Sequence, residues 1–106
     1  MDIQQHEQLL RILTEEFTKK ELTVSYTQWD ADGEDEEETQ FRATLASATI
    51  TNNEFTEKDL LLIFAAEDGE HIEILMEIPS EEADLATIDV GRLSIFGTEA
   101  ELVLEA

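Results

Sequence analysis

Apolar residues recur along this chain with two different periods. Between Asp2 and Glu21 they fall at Ile3, Leu9, Leu10, Ile12, Leu13 and Phe17, with Leu9, Leu13 and Phe17 in a single i, i+4 row. That spacing predicts an amphipathic helix over residues 2–21 with one buried face. Asp2 is placed to cap its start, Lys19 and Lys20 suit the negative end of its dipole, and no glycine or proline interrupts it.

From Leu22 the period becomes two: Leu22, Val24 and Tyr26 alternate with Thr23, Ser25 and Thr27, and a second strand is expected from Gln40 to Thr51, closed by Asn52 and Asn53. The stretch between them, Asp30 to Thr39, reads as a mobile, solvated loop at the tip of a wide hairpin. Asp68-Gly69 then predicts a two-residue turn between the apolar runs Leu60 to Ala66 and His71 to Ile78. In that register Glu67 faces Glu70. Ala65, Ile63 and Leu61 then lie opposite Ile72, Ile74 and Met76 on one apolar face. The other face pairs Phe64 with Glu73, Leu62 with Leu75 and Leu60 with Glu77.

Pro79 ends this hairpin, and Ser80 is placed to cap a short helical turn through Glu81, Glu82, Ala83, Asp84 and Leu85. Strand character returns near Ile88. A Gly97-Thr98 turn pairs Ile95 with Ala100 and Leu93 with Leu102 inside, leaving Arg92, Ser94, Glu101, Val103 and Glu105 outside. The fold expected is α+β: an N-terminal helix packed on a five- or six-stranded antiparallel sheet of hairpins, with a short helical turn near Ser80. The element order is similar to that of small acidic secretion chaperones, without their usual C-terminal helix.

Length changes the picture little, since 106 residues suit a single domain spanning 1–106. With 42% hydrophobic residues in dense blocks, the chain is expected to fold. It has no cysteine, so no disulfide or thiolate zinc site is available. Met1 to His6 lack the basic and apolar regions of a secretory signal, so a cytoplasmic location is expected. The longest apolar run, Leu60 to Ala66, falls far short of the roughly 20 residues of a membrane-spanning helix.

Charge changes the picture more. Against 27 Asp and Glu stand 6 Lys and Arg, a formal net charge of -21, where small soluble domains are comfortable at magnitudes of about 2 to 8. Self-repulsion on this scale is destabilising, so solubility is a weak reason to retain it. Nucleic acid and anionic membranes are poor direct partners for such a chain. A protein with a basic surface is a good one.

Candidate chemistry is sparse. Asp30, Asp32 and Glu34 match the first ligand positions of a calcium loop, but the pattern fails where Asp35, Glu37 and Phe41 stand in place of glycine, an apolar residue and a bidentate glutamate. His6 and His71 have no metal or triad spacing. Glu73 lies roughly 7 Å along the strand from His71, and Glu77 about 13 Å from Glu73, too far for either pair to share a proton. No phosphate-binding loop or nucleophile elbow is present. The expectation is a non-enzyme with no catalytic residue, cofactor or metal. Tyr26 and Trp29, at the root of the acidic stretch, read either as packing or as a partner's anchor.

Two functional expectations follow. The first is a non-enzymatic acidic protein-binding module that mimics DNA and inhibits a protein by occupying its basic nucleic-acid-binding groove. Such a groove is built for about one charge per 1.7 Å of duplex axis and gains from any rigid carboxylate array of similar density. Small anti-restriction, anti-CRISPR and other phage-type inhibitors are similar to this chain in charge and size. The contact residues expected are the strand-borne Glu73, Glu77, Glu99, Glu101 and Glu105, and the loop-borne Asp32, Glu34, Asp35, Glu36, Glu37 and Glu38. The second is a dimeric scaffold or chaperone-like protein binding through an apolar sheet face of Leu60, Leu62, Phe64 and Leu75, with a second copy of the chain as one partner; the alternative for that patch is a sheet that curls and buries it with other strands. Adaptation to high internal salt is a third reading, against which the excess of glutamate over aspartate and the plentiful isoleucine weigh.

Overall fold

The computed structural model describes residues 2–29, 36–52, 57–81 and 84–106. Among them are eight strands: β1 (Asp2–Ile3), β2 (Glu21–Trp29), β3 (Glu36–Asn52), β4 (Lys58–Ala65), β5 (His71–Ile78), β6 (Ala86–Asp89), β7 (Arg92–Phe96) and β8 (Ala100–Glu105). All pair antiparallel in one sheet of order β1-β6-β7-β8-β2-β3-β4-β5. The α+β class and the antiparallel sheet are those the sequence leads one to expect. The strand count exceeds the expected five or six because Val90 and Gly91 break residues 86–96 into two paired strands, and because Asp2–Ile3 joins the sheet edge.

The helix is shorter than its apolar spacing predicts. It comprises α1 (His6–Ile12) and a following π-helical turn (Leu13–Phe17). Asp2 does not cap it, because Asp2 pairs with Thr87 in the sheet, and Gln5 stands at the N-cap without a side-chain cap. Ile3 is fully buried at the sheet edge and its carbonyl accepts from the Leu85 N–H at 3.0 Å, so burial and pairing outweigh one more helical turn there. At the other end Lys19 takes a left-handed conformation (φ 64) and its N–H donates to Leu45 O at 3.1 Å. The buried face is the predicted one, with Leu9, Ile12, Leu13 and Phe17 inside. His6 is buried too, and its Nε2–H donates to Pro79 O at 2.7 Å, tying the helix start to the end of β5.

Strand β3 organises the sheet. Straight, its 17 residues would run about 56 Å, longer than the 35 Å greatest dimension of the molecule, so it must bend. The bend is a bulge between Leu45 and Ser47, where pairing passes from β2 to β4. Before it Phe41, Ala43 and Leu45 face the core; after it Ala48 and Ile50 do. The parity of the apolar positions switches with the extra residue. Glu36–Thr39, expected in a loop, lie in β3 opposite Trp29 to Tyr26, so the connection between β2 and β3 narrows to residues 30–35, outside the described residues.

Both predicted hairpins form with a shifted register. In β4–β5, Ala66 N–H donates to Glu70 O at 2.8 Å around a three-residue connection, Glu67 to Gly69, with Gly69 at φ 89. Phe64 therefore pairs with Ile72, Leu62 with Ile74 and Leu60 with Met76, while Ile63 pairs with Glu73 and Leu61 with Leu75. One residue of slip turns β4 over. Leu60, Leu62 and Phe64 belong to the core, Leu61 and Ile63 to the outer face. In β7–β8 the shift is two residues, Ile95 pairing with Leu102 and Leu93 with Leu104, so every side chain keeps its expected face. Where a helical turn is expected after Ser80, the described residues Ser80, Glu81 and Asp84 are bends, and Glu82 and Ala83 lie outside the described residues.

Candidate functional site

The curl of the sheet carries the end of β5 back against the turn between β7 and β8, although three strands separate β5 from β8 in the sheet order. Thr98 N–H donates to Glu77 O at 3.0 Å, the Thr98 hydroxyl donates to Glu57, and Tyr26 OH on β2 points to Leu75 O at 3.5 Å. Gly97 makes the approach feasible: a Cβ there would sit 2.6 Å from Met76 Cε and 2.8 Å from Glu77 O. On the far side of the turn, Trp29 N–H donates to Glu99 O at 3.1 Å.

Along this seam runs a cleft of about 360 Å³. Its walls include Tyr26, Gln28 and Trp29 from the end of β2, Leu75, Met76 and Glu77 from β5, Glu57 before β4, and Thr98 to Ala100 from the turn. Tyr26 and Trp29 are the chain's single tyrosine and single tryptophan. Burial pushes the Tyr26 phenol above its ordinary pKa of 10, partly offset by a hydrogen bond with the Gln28 side chain. Among the described residues no lysine or arginine lines the cleft.

The strand-borne acids divide into groups. On the outer face of β3-β2-β8, Glu38 and Glu101 flank Thr27 from either side, two strand spacings or about 10 Å apart. Glu36 and Glu37 lie opposite Trp29 and Gln28 at the same end of β2 that receives Glu99 and Ala100. Four residues back along β2, at Thr23, the charges on the same face are compensated: Arg42 pairs with Glu21 at 2.7 Å and Arg92 with Glu105 at 3.7 Å. Glu105 therefore leaves the acidic group the sequence placed it in. Glu73 and Glu77 lie on the outer face of β5, with Glu77 directly opposite Asp59. Asp32, Glu34 and Asp35 lie outside the described residues.

The result is an acidic pole. Glu36, Glu37, Glu38, Glu99 and Glu101 surround the end of β2, and the seam adds Glu57 and Glu77. Sequence reasoning missed Glu57, Gln28 and Thr98, because residues 26–29, 57, 75–77 and 98–100 meet only through the curl. The apolar interface expected at Leu60, Leu62, Phe64 and Leu75 is not formed, since the first three are fully buried and Leu75 alone is exposed, at 61%.

His71 is exposed at the start of β5, while His6 has a structural bond. Among the described residues no group of three or more histidines, aspartates or glutamates is placed to hold a metal ion, and no helix is long and apolar enough to cross a membrane. Comparison with family models, curated proteins and solved structures gives no match to this chain.

Proposed function

We propose that this chain is a non-enzymatic acidic binding module that docks its acidic pole on a basic surface of another protein, occupying the groove by which that protein holds nucleic acid. The observation that supports this reading most is the group of carboxylates that paired strands bring to the end of β2. Carboxylates from β3, β5, the β7–β8 turn and β8 gather at one end, while Arg42 and Arg92 are spent on Glu21 and Glu105. Charges held on paired strands keep their spacing, so little ordering opposes binding and a matching basic groove is met by a preformed array. The scaffold reading loses Leu60, Leu62 and Phe64 to the core and keeps Leu75, with Leu61 and Ile63, on the outer face.

The test is a partner captured on the full chain at low salt. It should be released steeply as sodium chloride rises, be displaced by duplex DNA, and be lost when Glu36, Glu37, Glu38, Glu99 and Glu101 are changed together to Gln. The reading is falsified if the partner binds equally at low and high salt, survives the fivefold substitution, and holds its nucleic acid at the same time.

A further inference from the structure

The cleft at the seam differs from the rest of the pole in having aromatic walls. Tyr26 and Trp29 are both among its lining residues, together with Glu57, Glu77 and Glu99 from three separate parts of the chain. The outer face of β2 and its neighbours, by contrast, carries serine, threonine and glutamine between its charges. We propose that the seam cleft is the socket for a single arginine side chain of the basic partner, an inference that rests on the acidic-pole reading and gives it a point of specificity.

Three features select this occupant. The cleft's volume, about 360 Å³, leaves room for one long side chain. Its charge is of one sign, with no lysine or arginine in the lining, so the occupant is a cation. Between the two protein cations, a guanidinium is planar: it stacks on an indole or phenol ring and presents paired N–H groups to carboxylates, whereas a lysine ammonium is a strongly hydrated point charge. The closure by Gly97 and Thr98 holds the walls at fixed separation before the partner arrives.

Because the chain's only tryptophan lines the cleft, its fluorescence reports occupancy directly. The probe is a short blocked peptide containing one arginine, titrated into the full chain beside peptides with lysine or with neutral, isosteric citrulline. Expected is a saturable change in Trp29 emission with a dissociation constant in the millimolar range for arginine, several-fold weaker binding of lysine, and none of citrulline. Changing Glu77→Gln with Glu99→Gln should weaken the arginine peptide about tenfold. Changing Glu15→Gln with Glu16→Gln, an equal loss of charge on the helix, should leave it within twofold. Thermal unfolding of both variants checks that the seam stays closed. A response that fails to saturate, that citrulline reproduces, or that falls equally in the two double variants overturns the socket. If the arginine peptide fails while the captured partner still depends on the pole's five glutamates, the socket falls and the acidic-pole reading stands.

Discussion

Hairpins β4–β5 and β7–β8 are neighbours across the seam, and they carry opposite loads. The first supplies core from β4 side chains packed on all sides: Phe64 meets Phe41 edge-to-face, with ring centroids 5.5 Å apart and planes at 83°. Its turn glycine, Gly69, has a positive φ but open space around it. The second hairpin supplies closure. Gly97 has no positive φ, and it is pressed against Met76 and Glu77. A glycine required by its backbone angle and a glycine required by crowding are different constraints, and only the second couples distant parts of the sheet.

The largest expected effect separates the two faces of the first hairpin. Phe64→Ala should cost about 3–5 kcal/mol, and Leu62→Ala about 2–5, through lost burial and the cavity left behind. Leu75→Ala, at a site 61% exposed, should change stability by no more than about 0.5 kcal/mol. Urea denaturation measures all three, and a Leu75 cost approaching that of Phe64 would mean the outer face is covered in solution.

Next in size are the two glycines. Gly97→Ala should cost about 1–3 kcal/mol from overpacking, because the Glu77 and Ala100 carbonyls have little room to retreat even if Met76 moves. Gly69→Ala should cost about 1 kcal/mol, set by its φ alone. Trp29 emission distinguishes them further: the change at 97 opens the cleft and shifts the spectrum, and the change at 69 does not.

Smaller again are the charges on the two hairpins. Glu77 stands opposite Asp59, so Glu77→Gln should stabilise by a few tenths of a kcal/mol, whereas Glu105→Gln removes the exposed pair with Arg92 and should cost about 0.2–0.5. Equal signs for the two substitutions at low salt would defeat this. Both differences should shrink on adding salt.

The smallest effect is at Tyr26, which spans the seam to β5. Its folded-state pKa is raised by burial, so the unfolded chain loses the phenol proton first as pH rises. The associated stability is intact below about 10, the unfolded value, and declines as pH climbs from there through the folded value. Phenolate absorbance of the lone tyrosine should show this late titration, and Tyr26→Phe should flatten the stability loss over that window. An ordinary titration midpoint in the folded protein would show the phenol to be solvated.

What the residues determine locally survives in the fold. Leu9, Ile12, Leu13 and Phe17 are buried on one helical face; β2, β5, β7 and β8 each keep the inside and outside their alternation dictates. Strand β4 does not, and the reason is visible in its composition. Leu60 to Phe64 is apolar at every position, so either parity satisfies the pattern, and a choice between a two- and a three-residue turn at Asp68-Gly69 decides which side is core. The bulge in β3 is hidden for a similar reason, since it shifts parity where only small and hydroxyl residues, Ala46 to Thr49, lie between Leu45 and Ile50.

Charge, class and the facing of every strand whose two sides differ in polarity thus follow from the residues alone, because burial of apolar groups and hydration of carboxylates act residue by residue. The register of β4, the curl that closes β5 on the β7–β8 turn, and hence the company Tyr26 and Trp29 keep with Glu57, Glu77 and Glu99, come from packing at long range. Those contacts join residues dozens of positions apart, and their energies exist only once the sheet has bent.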